Sequence, residues 1–383
     1  MNNKSMKAIA RFLLGVAASC AVLGSMAAGA GARDIVVGQV VDYAGKYGEA
    51  SRDFVAGARV YFDSLNAAGG LNGHRIVHVV LDGGSDGTAV RARTRELLAD
   101  KKADVLFGYV GEAAVAAAAR EPLLSAGGVA LVAPLAARET PDVPSSSVFY
   151  MRPGYQAEVR EIVEHFRPLQ VSRFVVVLSH SGSDAWIGQL LARQLAEAHA
   201  APAGVHVLSN DSGGDDRDVE AVRALQGQAV IVATDTVPAA QFIKRFRPRE
   251  PGTMVIGLSL TNHRVMFEML GPALAHGVMI TQVVSNPALA ESAVAKEHLV
   301  AMRTYRDEPP SHLTLEGFLA AKALVEGMRR AGPAPGRESI VAAFRRIGRL
   351  DLGGVFADFT PEGRMRSPYV DIAMIRRDGS LLR

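Results

Sequence analysis

Residues 34–82 read DIVVGQVVDYAGKYGEASRDFVAGARVYFDSLNAAGGLNGHRIVHVVLD, and the periodicity of hydrophobic residues changes twice within that stretch. An apolar run at 35–39 is short enough for a buried strand. Phe54, Ala58, Tyr61, Phe62 and Leu65 then fall on one face at helical spacing, with Ser51 placed to cap the helix and Gly69-Gly70 to end it. A second β-branched run at 76–81 completes a strand, helix, strand unit.

Working outward, the unit repeats. Helical periodicity at Val90, Thr94, Leu97 and Leu98 precedes an apolar strand at 105–107, an Ala-rich helix from Glu112 and a strand at 129–132. The alternation restarts with a helix through Tyr155, Val159, Ile162 and Phe166, a fully apolar strand at 174–178, and strands at 205–208, 230–233 and 254–257 with helices between. The expected fold class is α/β: two Rossmann-like lobes, each a parallel sheet with helices on both faces. Past Gly277 a strand at 278–284 leads into helices near 291–306, 313–331 and 337–347, too few strands for a third domain. That segment is expected to rejoin the first lobe, with the last strands crossing back to the second.

The N-terminus has the layout of a signal peptide: Lys4, Lys7 and Arg11 without an acid, an apolar run from Phe12 to about Ala28, then the small-x-small sites Ala28-Gly29-Ala30 and Ala30-Gly31-Ala32. A mature chain beginning at Gly31 or Arg33 and a periplasmic location are expected. The chain has 42 Lys+Arg and 39 Asp+Glu, so losing Lys4, Lys7 and Arg11 leaves 39 of each sign. A near-neutral mature protein offers no electrostatic footprint for nucleic acid. The single cysteine, Cys20, lies within the apolar run, which excludes disulfides and thiolate chemistry from the mature chain.

Catalytic templates fail. The mature sequence has no G-x-S-x-G, no phosphate loop, no H-E-x-x-H and no G-x-G-x-x-G. Ser179, His180, Ser181 and Asp184 supply the residue types of a hydrolase triad but lie too close along the chain to converge. His74 and His78, about 13 Å apart by strand rise, cannot share a metal and are expected at the surface. We therefore expect a binder with no metal or cofactor, not an enzyme, its ligand at the carboxyl ends of the strands.

The order of residues from Asp34 onward resembles the leucine/isoleucine/valine-binding family of type I periplasmic solute-binding proteins. The resemblance is carried by Gly45-Lys46-Tyr47-Gly48, Ala68-Gly69-Gly70-Leu71-Asn72-Gly73, the loop 82–86, Phe107-Gly108-Tyr109-Val110-Gly111, Ala133-Pro134, Thr281-Gln282-Val283-Val284 and Leu315-Glu316-Gly317-Phe318. It implies three hinge crossovers, near 151–153, 277–280 and 353–355. Lobe one would then span 33–151 plus 281–353, and lobe two 154–278 plus 355–383. It also implies a monomer that closes on a small molecule and hands it to the permease subunits of an ABC importer; a sensory protein presenting its closed form to a receptor is the alternative.

Carried over residue by residue, the resemblance gives ligand-binding candidates. Tyr47 matches the family's ligand-packing aromatic residue. Tyr109, Gly111, Glu112 and Ala113 follow the third strand, where the family offers hydroxyls; here the stretch Gly111-Glu112-Ala113-Ala114 has none. Ala136 and Arg138 replace an expected Thr; Arg138 is either a carboxylate clamp or a surface residue. In lobe two, Trp186 is the best match for an aromatic residue, either over the ligand or in the core. Asp235 faces the cleft, Thr236 stands for a second aromatic residue, and Ser259 for the acid that grips an amino group. Losing that acid and gaining Glu112, which points to the cleft or to solvent, argues against a plain amino acid. The expected ligand is amino-acid-like, or a small aromatic or aliphatic acid or amide.

Overall fold

The computed structural model describes residues 33–45, 47–84, 86–136, 147–180, 185–359 and 369–383. The expected signal peptide, Lys46, Arg138 and the polar loop 181–184 lie outside the described residues.

The first sheet has the order β2-β1-β3-β4-β5, all parallel, from β1 (Ile35–Val41), β2 (Ile76–Asp82), β3 (Val105–Phe107), β4 (Leu131–Val132) and β5 (Val148–Phe149). The two-residue β5 has no periodicity of its own and escapes sequence reading. Helices α1 (Gly48–Ala67), α2 (Gly87–Ala99), α3 (Glu112–Ala119) and α4 (Pro122–Ser125) connect these strands. Helix α1 starts before Ser51, which is buried inside its first turns rather than capping it.

The second sheet runs β14-β13-β10-β9-β8-β6-β7. Its parallel part comprises β6 (Arg173–Leu178), β7 (Ala201–Val207), β8 (Ala229–Ala233), β9 (Met254–Gly257) and β10 (Met279–Gln282). Helices α5 (Tyr155–Phe166), α6 (Ala185–Glu197), α7 (Asp216–Ala224), α8 (Thr236–Phe246) and α9 (His263–Ala275) precede or link its strands. Taken in chain order, both parallel sheets follow one plan: the first strand lies between the second and the third. That reversal creates a switch point in each sheet, beyond the carboxyl ends of β1 and β3 in one and of β6 and β8 in the other.

Two crossings fall elsewhere than expected. Strand β10 pairs with β9 and, antiparallel, with β13 (Asp371–Ile375), so the chain leaves the second sheet after Gln282 and not at 277–280. Residues 353–355 form the turn of a hairpin between β11 (Arg349–Asp351) and β12 (Phe356–Asp358), where Gly353 and Gly354 have φ of +106° and +87°. Leu350, Leu352, Ala357 and Phe359 bury into the first lobe's core, so the chain is still part of the first lobe at 353–355. Strand β13 and the terminal β14 (Leu381–Leu382) complete the second sheet.

Helices α10 (Ala293–Tyr305), α11 (His312–Arg330) and α12 (Arg337–Arg346) rejoin the first lobe. Helix α11 crosses α1 with backbones almost touching: a Cβ on Gly57 would lie 1.8 Å from the Thr314 carbonyl oxygen, and one on Gly317 2.1 Å from that of Phe54. Small residues at the crossing let two buried helices share one apolar layer. No helix among the described residues is long and apolar enough to cross a membrane.

Candidate functional site

The loops that leave both switch points meet at one cavity of about 580 Å3. From the first lobe come the β1–α1 loop with Asp42, Tyr43 and Tyr47, and the start of α3 with Val110, Ala113 and Ala114. From the second come Ser179 at the end of β6, the start of α8 with Asp235, Thr236, Val237 and Pro238, and Leu260 after β9. A cavity of this size suits a small organic molecule. Among the described residues no group of His, Cys, Asp or Glu has the arrangement of a metal site.

Of the residues expected from the sequence, Tyr47, Ala113, Asp235 and Thr236 border this cavity. Glu112 does not point to solvent. It is 4 % exposed, beneath Tyr47, and its carboxylate accepts hydrogen bonds from the phenols of Tyr47 and Tyr155, each at 3.0 Å. Burial, with the charge of Glu112 added to it, holds the Tyr155 phenol well above its ordinary pKa, so it stays a donor. Gly111 starts α3 at φ +90° with the Tyr47 ring packed on it; a Cβ there would sit 2.3 Å from that ring.

Three expectations are redirected, and the two readings of Trp186 are separated. Tyr109 is fully buried in the first lobe's core, its hydroxyl 3.0 Å from Thr94 Oγ1, and Ala136 is buried in the same cluster. Trp186, on the first turn of α6, packs against the second lobe's core with its ring 6.4 Å from that of Tyr155. Ser259 is 1 % exposed and belongs to a charge network behind the cavity. The histidines are not surface residues either. His74 is 7 % exposed, between the carbonyls of Arg33 and Pro333, and His78 bonds Gln39 at 2.8 Å. Burial pushes His78 down to about 3.

The network around Ser259 was not anticipated as a unit. Glu158, on the buried face of α5, accepts bonds from Ser259 N at 3.0 Å, Ser259 Oγ at 2.8 Å and Thr281 Oγ1 at 2.5 Å. Arg152, on the first crossing, donates to Ser259 Oγ and lies 3.5 Å from Glu316 on α11 and 4.0 Å from Glu158. Burial opposes the Arg152 charge, but Glu316 and Glu158 outweigh it and hold the guanidinium above its usual value. One cation on the crossing is thus held by an acid from each lobe. The signal was available: Glu158 falls three residues after Tyr155 and four before Ile162, on the helix's apolar stripe.

A further seam joins the lobes. Asn262 Nδ2 donates to Asp53 at 3.2 Å, Arg264 Nη1 to the Pro309 carbonyl at 2.9 Å, and the rings of His263 and His312 are 5.7 Å apart. His180 is engaged with the Leu208 carbonyl at 3.0 Å.

Residues 34–380 match the family model described as periplasmic binding protein. A comparison with curated proteins finds no match. Among solved structures, the chain is similar to a substrate-binding periplasmic protein from Ralstonia solanacearum, 28 % identical, TM-score 0.83, covering 91 % of this chain and 99 % of that one. It shares its fold with a possible leucine/isoleucine/valine-binding protein from Rhodopirellula baltica, 20 % identical, TM-score 0.82, covering 93 % and 98 %. It likewise shares the fold of the branched-chain amino acid transporter substrate binding protein of Streptococcus pneumoniae solved with isoleucine, 17 % identical, TM-score 0.78, covering 91 % and 98 %. These are ligand-binding proteins, not enzymes. With parallel sheets arranged alike in two lobes, a shared cavity, and a family match over residues 34–380, the chain belongs to the type I periplasmic binding protein family.

Proposed function

We propose that the chain is the extracytoplasmic substrate-binding subunit of an ABC importer, exported by its first 32 residues, which captures a small organic solute between its lobes and presents the closed form to permease subunits. The observation that carries this reading is the cavity walled by the switch-point loops of both sheets. A ligand there touches both lobes, so its binding energy favours the closed arrangement over an open one. Arg152, gripped by Glu316 and Glu158, gives the crossing a fixed anchor in each lobe. The family match and the likeness to a branched-chain amino acid transporter substrate binding protein of Streptococcus pneumoniae support the import role.

The experiment is mass spectrometry of whatever is released when natively purified protein is denatured, followed by co-purification with candidate ABC permease subunits. A defined small solute and a ligand-dependent complex are expected. Absence of any solute, together with no permease complex, would overturn the proposal.

A further inference from the structure

The electrostatics of the cavity wall narrow the solute, resting on the reading of the cleft as a solute site. Helices α1, α3 and α8 all begin at the cavity, and the positive end of a helix ordinarily attracts an anion. Here each helix start already carries its own carboxylate. Glu49 lies in the first turn of α1, Glu112 in the first turn of α3, and Asp235 at the N-cap of α8. At each of these helix starts a ligand carboxylate would therefore meet an internal anion that offsets the favourable dipole.

Beyond those acids, Asp42 and Asp211 also border the cavity. Arg52 is the one cationic side chain among the described residues that border it, and it is engaged by Glu49 and by the Tyr43 carbonyl at 2.8 Å. Asp42 is the independent pointer. It is 3 % exposed; its Oδ1 accepts the Gly45 N–H at 2.6 Å, while its buried Oδ2 has no hydrogen-bond partner. A desolvated carboxylate oxygen without a donor is costly, and a ligand N–H would meet that need. Beside it stand the rings of Tyr43 and Tyr47. Tyr47 donates to Glu112, which enriches its ring in electrons and favours a cation over its face.

We infer that the solute of this cleft is a small organic cation, an ammonium or amidinium on an apolar skeleton, without a free carboxylate, whose charged nitrogen is received by Asp42 and Asp235 beside Tyr43 and Tyr47.

The test uses calorimetry on the mature chain freed of bound solute, with leucine, 3-methylbutylamine and 4-methylpentanoate as probes; they share a branched skeleton and carry both charges, the ammonium alone and the carboxylate alone. Phenethylamine and 3-phenylpropanoate repeat the comparison with an aromatic skeleton. The amines should bind at least about tenfold more tightly than leucine or the acids. The variant Asp42→Asn keeps an oxygen for the Gly45 N–H, so it should retain its melting temperature while losing about tenfold or more in amine affinity. Preferential binding of the acids, or release of a carboxylate-bearing solute from the native protein, overturns the inference and leaves solute capture standing. Silence of every probe, with no solute released, overturns the inference, and with no permease complex either it overturns solute capture as well.

Discussion

Tyr155 of the second lobe donates to Glu112 of the first at 3.0 Å, while Tyr47, which borders the cavity, donates to the other oxygen of the same carboxylate. One buried acid thus links a ligand-facing ring to the opposite lobe. Removing the Tyr155 hydroxyl leaves Glu112 short of a donor only where the lobes meet. Tyr155→Phe should favour the open arrangement by about 1.5 to 3 kcal/mol, the range for hydrogen bonds to charged groups. Tyr47→Phe, which removes a bond within one lobe, should not. Inter-lobe distances from paired spin labels on the solute-free protein would distinguish the two; equal distributions for both variants would show that Tyr155 is not a latch.

Acid should loosen the seam between the lobes. His263 is lowered to about 4 by burial and Arg264, and His312 to about 3 by burial, His263 and nearby arginines. Arg152, Arg264, Asp53 and Glu316 are the charged groups around them. Both histidines are held neutral in the packed state, with values below the ordinary 6.5, so the unfolded or opened chain binds more protons as pH falls. Each histidine should remove about 1.4 kcal/mol of stability per pH unit below about 6.5, levelling off near its own lowered value. Denaturant midpoints at pH 7, 6 and 5 for the parent and for His263→Gln with His312→Gln would show it: the parent's decline should be shallower in the double variant.

The α-helical and β-strand alternation and the two lobes followed from periodicity, because buried parallel strands and amphipathic helices carry different repeats, and the return of the late helices to the first lobe followed from their having too few strands for a sheet of their own. The crossings did not follow. An apolar run such as 278–284 records burial, not which sheet provides the neighbours, and β10 turned out to extend the second sheet. Site residues taken from the resemblance inherit chain position without side-chain direction, which is why Tyr109 and Ser259 landed in interiors while Asp42, unflagged, borders the cavity. Glu158 and Glu316 were readable, since each sits on a helix face whose neighbours are apolar.

Trp186 is the only tryptophan, and its packing against the second lobe's core makes it a fold reporter. Trp186→Ala should cost about 3 kcal/mol or more. Solute affinity of the more conservative Trp186→Phe should stay within about threefold, a difference of under 1 kcal/mol. A tenfold loss by calorimetry would place its ring on the ligand.

The α1–α11 crossing tolerates no side chain. Gly57→Ala or Gly317→Ala forces a methyl onto a carbonyl oxygen and should lower stability by about 1 to 3 kcal/mol or more, measured by urea unfolding. Gly252→Ala, where a Cβ meets nothing within 4 Å, serves as the neutral control.

Closure of the two lobes on a shared solute is the centre of this account, and small-angle scattering tests it most directly. With the solute released from the native protein added back to saturation, the radius of gyration should fall relative to the solute-free chain. An unchanged radius at saturation would contradict capture by closure.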